Sequence, residues 1–121
     1  MGYESRFYVV NKTTQKSLDG KRYWGQVIAM FDLCKAPMVY DRIREYPKTD
    51  VYIYADDGNT VINKDAYGAD MIEIPIADMV NIMDKVIHNE DYYRRYYPFL
   101  GLLKGFNPNE WSDLVVLHYG Y

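Results

Sequence analysis

The stretch Leu114-Val115-Val116-Leu117-His118-Tyr119 is apolar at odd and even positions alike. A strand with one face in water alternates between apolar and polar residues, whereas one covered on both faces does not. Six residues are too few for an ordinary buried helix, and Pro108-Asn109-Glu110-Trp111 just upstream reads as a turn. The stretch is therefore expected to be the last strand and to lie centrally in a sheet. The rest of the chain must then supply neighbours on both edges and cover for at least one face.

Working back from it, residues 79–87 carry the clearest helical pattern. Met79, Ile82, Met83, Val86 and Ile87 fall at i, i+3, i+4, i+7 and i+8, while Asp78, Asn81, Asp84, Lys85 and His88 face away. Asp78 near the start and Lys85 and His88 near the end complement the helix dipole. Asn89 and Asp91 can cap a second helix running into Tyr92-Tyr93-Arg94-Arg95-Tyr96-Tyr97. Pro98 is expected to interrupt it and to start a further turn through Phe99, Leu102 and Leu103, ending at Gly105.

At the other end, residues 3–10 and 22–31 read as strands. Tyr3, Phe7 and Val9 share one parity and Tyr8 and Val10 the other. Likewise Tyr23, Val27, Ala29 and Phe31 oppose Trp24, Ile28 and Met30, so both faces are expected to be largely covered. Ser17-Leu18-Asp19-Gly20-Lys21 carries an Asp-Gly turn signal, which makes the pair an antiparallel hairpin. Pro37 opens a short helix over residues 37–46 that Pro47 closes. Residues 51–55 alternate as a strand, Asp56-Asp57-Gly58-Asn59 turns, Thr60-Val61-Ile62 returns, and Met71 to Ile74 forms one more short strand before Pro75. The fold class is α+β: an antiparallel or mixed sheet of about five strands with two or three helices packed on one face.

The chain has 121 residues, and no linker or repeat divides it, so residues 1–121 are expected to form a single domain. Fourteen Lys and Arg against 17 Asp and Glu give a net charge of −3, which argues against a phosphate-gripping, nucleic-acid-binding role. No run approaches the ~18 apolar residues of a spanning helix, and Met1-Gly2-Tyr3-Glu4-Ser5-Arg6 lacks the apolar stretch of a secretion signal. Arg6 stands where a myristoylation motif needs Ser or Thr. The expectation is a soluble cytoplasmic protein without a membrane partner.

The chemistry-bearing residues are few. Cys34 is the single cysteine, which leaves no internal disulfide and no cysteine-based zinc site. Asp56, Asp57, Asp65 and Asp70 cluster around one turn, and carboxylates at that density suit hard cations. Their spacing misses the calcium-loop pattern, and turn chemistry accounts for them, so no metal is expected. His88 and His118 could serve as bases, but no nucleophile motif accompanies them, and Cys34 reads as a small buried hydrophobe rather than a partner for His118. Phosphate-cradling glycine motifs are absent, and no cofactor is expected. No catalytic residue is assigned.

The segment Tyr92 to Tyr97 stands apart. On a helix Tyr92 stacks on Tyr96 and Tyr93 on Tyr97, with the arginines between the rows. One row can pack inward; the other and at least one arginine then face water. Tyr and Arg are enriched at binding hot spots, so Tyr93, Arg94, Arg95 and Tyr97 are the expected partner-binding residues. The alternative is that both rows cover the sheet and the arginines pair with Glu90, Asp91 or Glu110.

Met1-Gly2-Tyr3-Glu4-Ser5 entering a strand, Phe31-Asp32-Leu33-Cys34-Lys35, Tyr54-Ala55-Asp56-Asp57-Gly58 and Val116-Leu117-His118-Tyr119-Gly120-Tyr121 together resemble small uncharacterised proteins encoded by phages and prophages of low-GC Gram-positive bacteria. The resemblance implies a genomic neighbourhood and no catalytic residue. It implies an accessory protein that binds and inhibits or redirects a host macromolecule, such as a host-defence component, in the host cytoplasm. Two other readings stand beside it. One is a small hydrolase using the loop from Asp56 to Asp70, or His118. The other is a self-associating structural or accessory protein.

Overall fold

The computed structural model describes residues 4–16, 23–34, 37–54, 61–62, 64–87, 93–106 and 114–121. The Asp-Gly turn, the Asp56-Asp57-Gly58-Asn59 turn, His88, the caps at Asn89 and Asp91, and the turn at Pro108 lie outside the described residues. The elements run β1 (Ser5–Lys16), β2 (Tyr23–Cys34), α1 (Pro37–Ile43), β3 (Val51–Tyr54), β4 (Val61–Ile62), β5 (Ile72–Pro75), α2 (Ile76–Ile87), α3 (Tyr93–Gly105) and β6 (Leu114–Gly120). The strands form one α+β sheet in the order β4-β3-β2-β1-β6-β5. All pairings are antiparallel except β2 with β3. β6 lies between β1 and β5, and Leu114 to His118 are all buried, as the two-sided apolar pattern requires.

The helices share one face. Phe7 and Val9 of β1, Leu114 and Val116 of β6 and Ile74 of β5 meet Val39 and Ile43 of α1, Met79, Ile82, Met83 and Val86 of α2, and Tyr96, Phe99 and Leu103 of α3. Met79, Ile82, Met83 and Val86 of the predicted α2 stripe are buried, while Asn81 and Lys85 are exposed. α3 runs unbroken through Pro98, contrary to the expected interruption. Pro98 is exposed and lies early in the helix, where the bond it removes is the one to the carbonyl of residue 94 in the first turn. α1 is shorter than expected: it ends at Ile43, and Tyr46 N–H turns back to the Ile43 carbonyl at 2.9 Å.

A second core forms on the other face from Tyr8, Val10, Val51, Ile53, Met71, Val115 and Leu117. Its cover comes from residues 47–53, which reach from β5 to β2. Lys48 bridges Ile72, with Thr49 N–H donating to Met71 O at 2.8 Å and Glu73 N–H to Pro47 O at 2.9 Å. Two residues later β3 joins the start of β2, Tyr23 opposite Val51 and Trp24 opposite Tyr52. Gly25 permits the crossing, because a Cβ there would collide with methyls of Val10 and Val51. Thr49 locks the closure: its hydroxyl donates to Glu73 at 2.8 Å and accepts the Val51 N–H at 3.1 Å. Glu73 also holds Lys12 at 2.8 Å.

β2 departs from the expected two-sided burial. Its partners on β1 skip Ile28 and Leu33, so the strand is bulged at both places. Ala29, Phe31 and Leu33 pack toward the helices, but Val27 joins the second core. Ile28 and Met30 are left 45% and 39% exposed.

Candidate functional site

Two constellations of polar side chains stand out, one internal and one on the surface. Ser5 and His118 lie on adjacent central strands, 113 residues apart in sequence. The Ser5 hydroxyl and His118 Nε2 share a 2.9 Å hydrogen bond, and each residue is 2% exposed. The imidazole lies against the rings of Phe7 and Tyr40, with centroids at 5.2 and 5.3 Å. Burial pushes its pKa down to about 4, with Asp65 acting in the opposite direction. The ring is thus neutral at neutral pH. The pair has the composition of a base and a nucleophile, but packing encloses it on the helix face of the sheet.

The surface constellation gathers at the opposite face, where β1 begins and β6 ends. Arg6 pairs with Tyr119 of β6 and with Asp32 of β2 in the strand register. Its guanidinium donates to both carboxylate oxygens of Asp32, at 2.6 and 3.3 Å. It lies 4.9 Å from the ring centre of Tyr121 and 6.0 Å from that of Tyr119. Tyr8, opposite Met30, meets Tyr119 edge to face at 6.1 Å. Hydrogen bonding to Asp32 holds Arg6 more firmly charged than a free arginine, against the pull of its partial burial. Burial also raises the Tyr121 hydroxyl, and the Asp32 and Glu4 charges add to this. The result is a fixed guanidinium flanked by half-buried tyrosine rings.

The remaining sequence candidates are dispersed. Of the four partner-binding residues predicted on α3, Tyr97 is 53% exposed, and its neighbour Tyr96 is buried. The side chains of Tyr93, Arg94 and Arg95 lie outside the described residues, as do Asp56 and Asp57. Asp65 accepts the N–H groups of Tyr67 and Ala69 at 2.9 and 3.0 Å, and Asp70 accepts Lys64 at 2.9 Å. These two carboxylates are occupied by their own loop, with Gly68 at φ 80° completing the turn. Among the described residues no cluster of His, Cys, Asp and Glu could hold a metal ion. No helix among them is long and apolar enough to cross a membrane.

Sequence reading missed the cluster around Arg6, although its signal was present. Arg6 and Tyr8 share one parity, as do Tyr119 and Tyr121, but only the register of β1 on β6 turns these pairs into neighbours. In comparisons with known proteins, no family model, no curated protein and no solved structure matches this chain.

Proposed function

We propose that this chain acts as a non-enzymatic binding protein. It takes hold of a host macromolecule, a protein in the phage setting that the resemblance implies, through the sheet end formed by Arg6, Tyr8, Tyr119 and Tyr121. The carrying observation is the Arg6 guanidinium, fixed by Asp32 and laid against two tyrosine rings. Planar groups held in place before contact lose little freedom on binding, which is why Tyr and Arg dominate hot spots. Tyr97 and its arginine neighbours on α3 form a second candidate surface, continuous with the expectation from sequence. Of the two sites named for the hydrolase alternative, the loop from Asp56 to Asp70 and His118, His118 has a hydroxyl beside it in Ser5, but the burial of both requires that the strand end open before a substrate could reach them.

A tagged chain is used to capture partners from host lysate, alongside Arg6→Ala/Tyr121→Ala and Arg94→Ala/Arg95→Ala variants, with circular dichroism as the folding control. The first double variant should keep its fold and lose at least ~1–2 kcal/mol of partner affinity. Loss only in the α3 variant would move the surface to that helix. Hydrolase activity abolished by Ser5→Ala would replace the binding reading altogether.

A further inference from the structure

Ser5 and His118 lie directly behind the Arg6 surface. Along a strand successive side chains point to opposite faces. In the register of β1 on β6, Ser5 pairs with Gly120, Arg6 with Tyr119 and Phe7 with His118. Ser5 and His118 therefore project to the helix face from the same strand ends that carry Arg6, Tyr119 and Tyr121 on the other. Glu4 N–H donates to Tyr121 O at 2.8 Å and Tyr121 N–H to Glu4 O at 3.0 Å, which closes the ladder. By the alternation of an antiparallel ladder, Arg6 and Tyr119 are the next pair to exchange both backbone bonds. Around the imidazole stand Phe7 of β1, Tyr40 of α1 and Ile72 of β5, which pairs with His118. Asp65 acts on the ring from the loop before β5, where Ala66 N–H donates to Gly120 O at 3.0 Å. Of these neighbours Asp65 carries charge and Tyr40 is the other titratable group.

We propose that this strand end is a proton-gated clasp: His118 takes up a proton when the end of β6 parts from β1, and that parting dismantles the surface of Arg6, Tyr119 and Tyr121. The inference rests on the reading of that surface as the binding site and adds its regulation. In the closed end an imidazolium would be 2% exposed among Phe7, Tyr40 and Ile72, so the charged ring needs water that opening supplies. The position of His118 decides what opens. It lies two residues before the end of β6, so residues 118–121 can separate while Leu114 to Leu117 stay paired with Asn11 to Tyr8. Tyr119 and Tyr121 leave with the ring, whereas Arg6 keeps Asp32 at 2.6 Å. In the closed form burial lowers the pKa from 6.5 to about 4. Opening is therefore favoured about tenfold per pH unit below about pH 6.5, until the closed form itself protonates near pH 4. The linkage is reciprocal: a partner seated on the closed surface holds the proton off, and a proton on His118 weakens the partner.

Amide hydrogen exchange followed by NMR tests the clasp on the intact wild-type chain, with no partner present. Exchange through transient opening slows in proportion to hydroxide as pH falls, unless opening itself becomes more frequent. The Arg6 and Tyr119 amides should exchange faster than those of Val10 and Val115, deeper in the same ladder, which marks an opening smaller than global unfolding. Between about pH 6.5 and about pH 4.5 their rates should stay nearly constant, corresponding to a ~100-fold rise in opening. In His118→Gln the same two amides should instead slow in proportion to hydroxide. Wild-type rates at Arg6 and Tyr119 that follow hydroxide overturn the proposal, and so does protection equal to that of Val10 and Val115. The surface reading fails separately, when a partner captured at neutral pH is indifferent to Arg6→Ala/Tyr121→Ala. That result would overturn the regulation but leave the exchange profile intact, so the two failures are told apart.

Discussion

Acidification should remove a defined share of stability through His118. In the folded chain the ring is 2% exposed, packed against Phe7 and Tyr40 and hydrogen-bonded to Ser5. Burial lowers its pKa from 6.5 to about 4. Above about pH 6.5 the ring is neutral in folded and unfolded chains alike, and its full contribution is present. Between about pH 6.5 and pH 4 the unfolded chain binds a proton that the folded chain rejects, so stability falls as pH falls. Below about pH 4 both states are protonated and the loss is complete. At 1.36 kcal/mol per pKa unit the total is roughly 3 kcal/mol, a large part of the stability of a domain this size.

The assay is urea unfolding of the wild type and of His118→Gln at intervals between about pH 7 and pH 4. Carboxylates titrate in both proteins, so the difference between the two curves isolates the imidazole. The wild type's advantage near neutrality should shrink by ~2–3 kcal/mol on the way to pH 4. Parallel curves would refute the reasoning, because they would mean that His118 exchanges protons as freely in the fold as outside it.

Other perturbations test the rest of the architecture. Gly25→Ala should cost about 1–3 kcal/mol in chemical denaturation, since its methyl collides with Val10 and Val51; a neutral or stabilising result would mean that β3 does not cross the sheet there. Met83→Ala should cost about 2–5 kcal/mol, whereas Asn81→Ala and Lys85→Ala should stay within ~0.5, and a reversal of that order would contradict the helix phase.

What the sequence made legible is what depends on nearest neighbours. The two-sided apolar run at 114–119 placed β6 centrally, and the i, i+3, i+4 stripe fixed the buried face of α2. The features that escaped are those created by pairing over distance. A bulge at Ile28 has no local signature, since an extra residue exists only relative to the partner strand, yet it reverses the facing of the residues from Ala29 to Asp32. Residues 47–50 are Pro, Lys, Thr and Asp, which carry no strand pattern; they belong to the sheet because Glu73, Lys12 and Met71 supply their partners. The contact of Ser5 with His118 and the stacking of Arg6 on Tyr121 follow from the same long-range register of β1 against β6.

The closed second core and the open edge of β2 have a common cause. At Gly25 the absence of a side chain lets β3 lean over the face of the sheet, where Val51 and Ile53 seal Val10 and Met71 from water. A strand that leans over the face cannot also continue alongside its neighbour, so β3 pairs with β2 only at Tyr23 and Trp24. Covering the second face thus leaves the edge of β2 away from β1 without a pairing strand from Gly25 onward among the described residues. The bulge at Ile28 falls where the neighbouring strand has departed, and it turns Val27 toward the sealed core. The bulge shortens the straight run of the strand, leaving Ala29 to Asp32 in regular alternation. Stability on one face is therefore coupled to availability on one edge, and a substitution at Gly25 should alter both together.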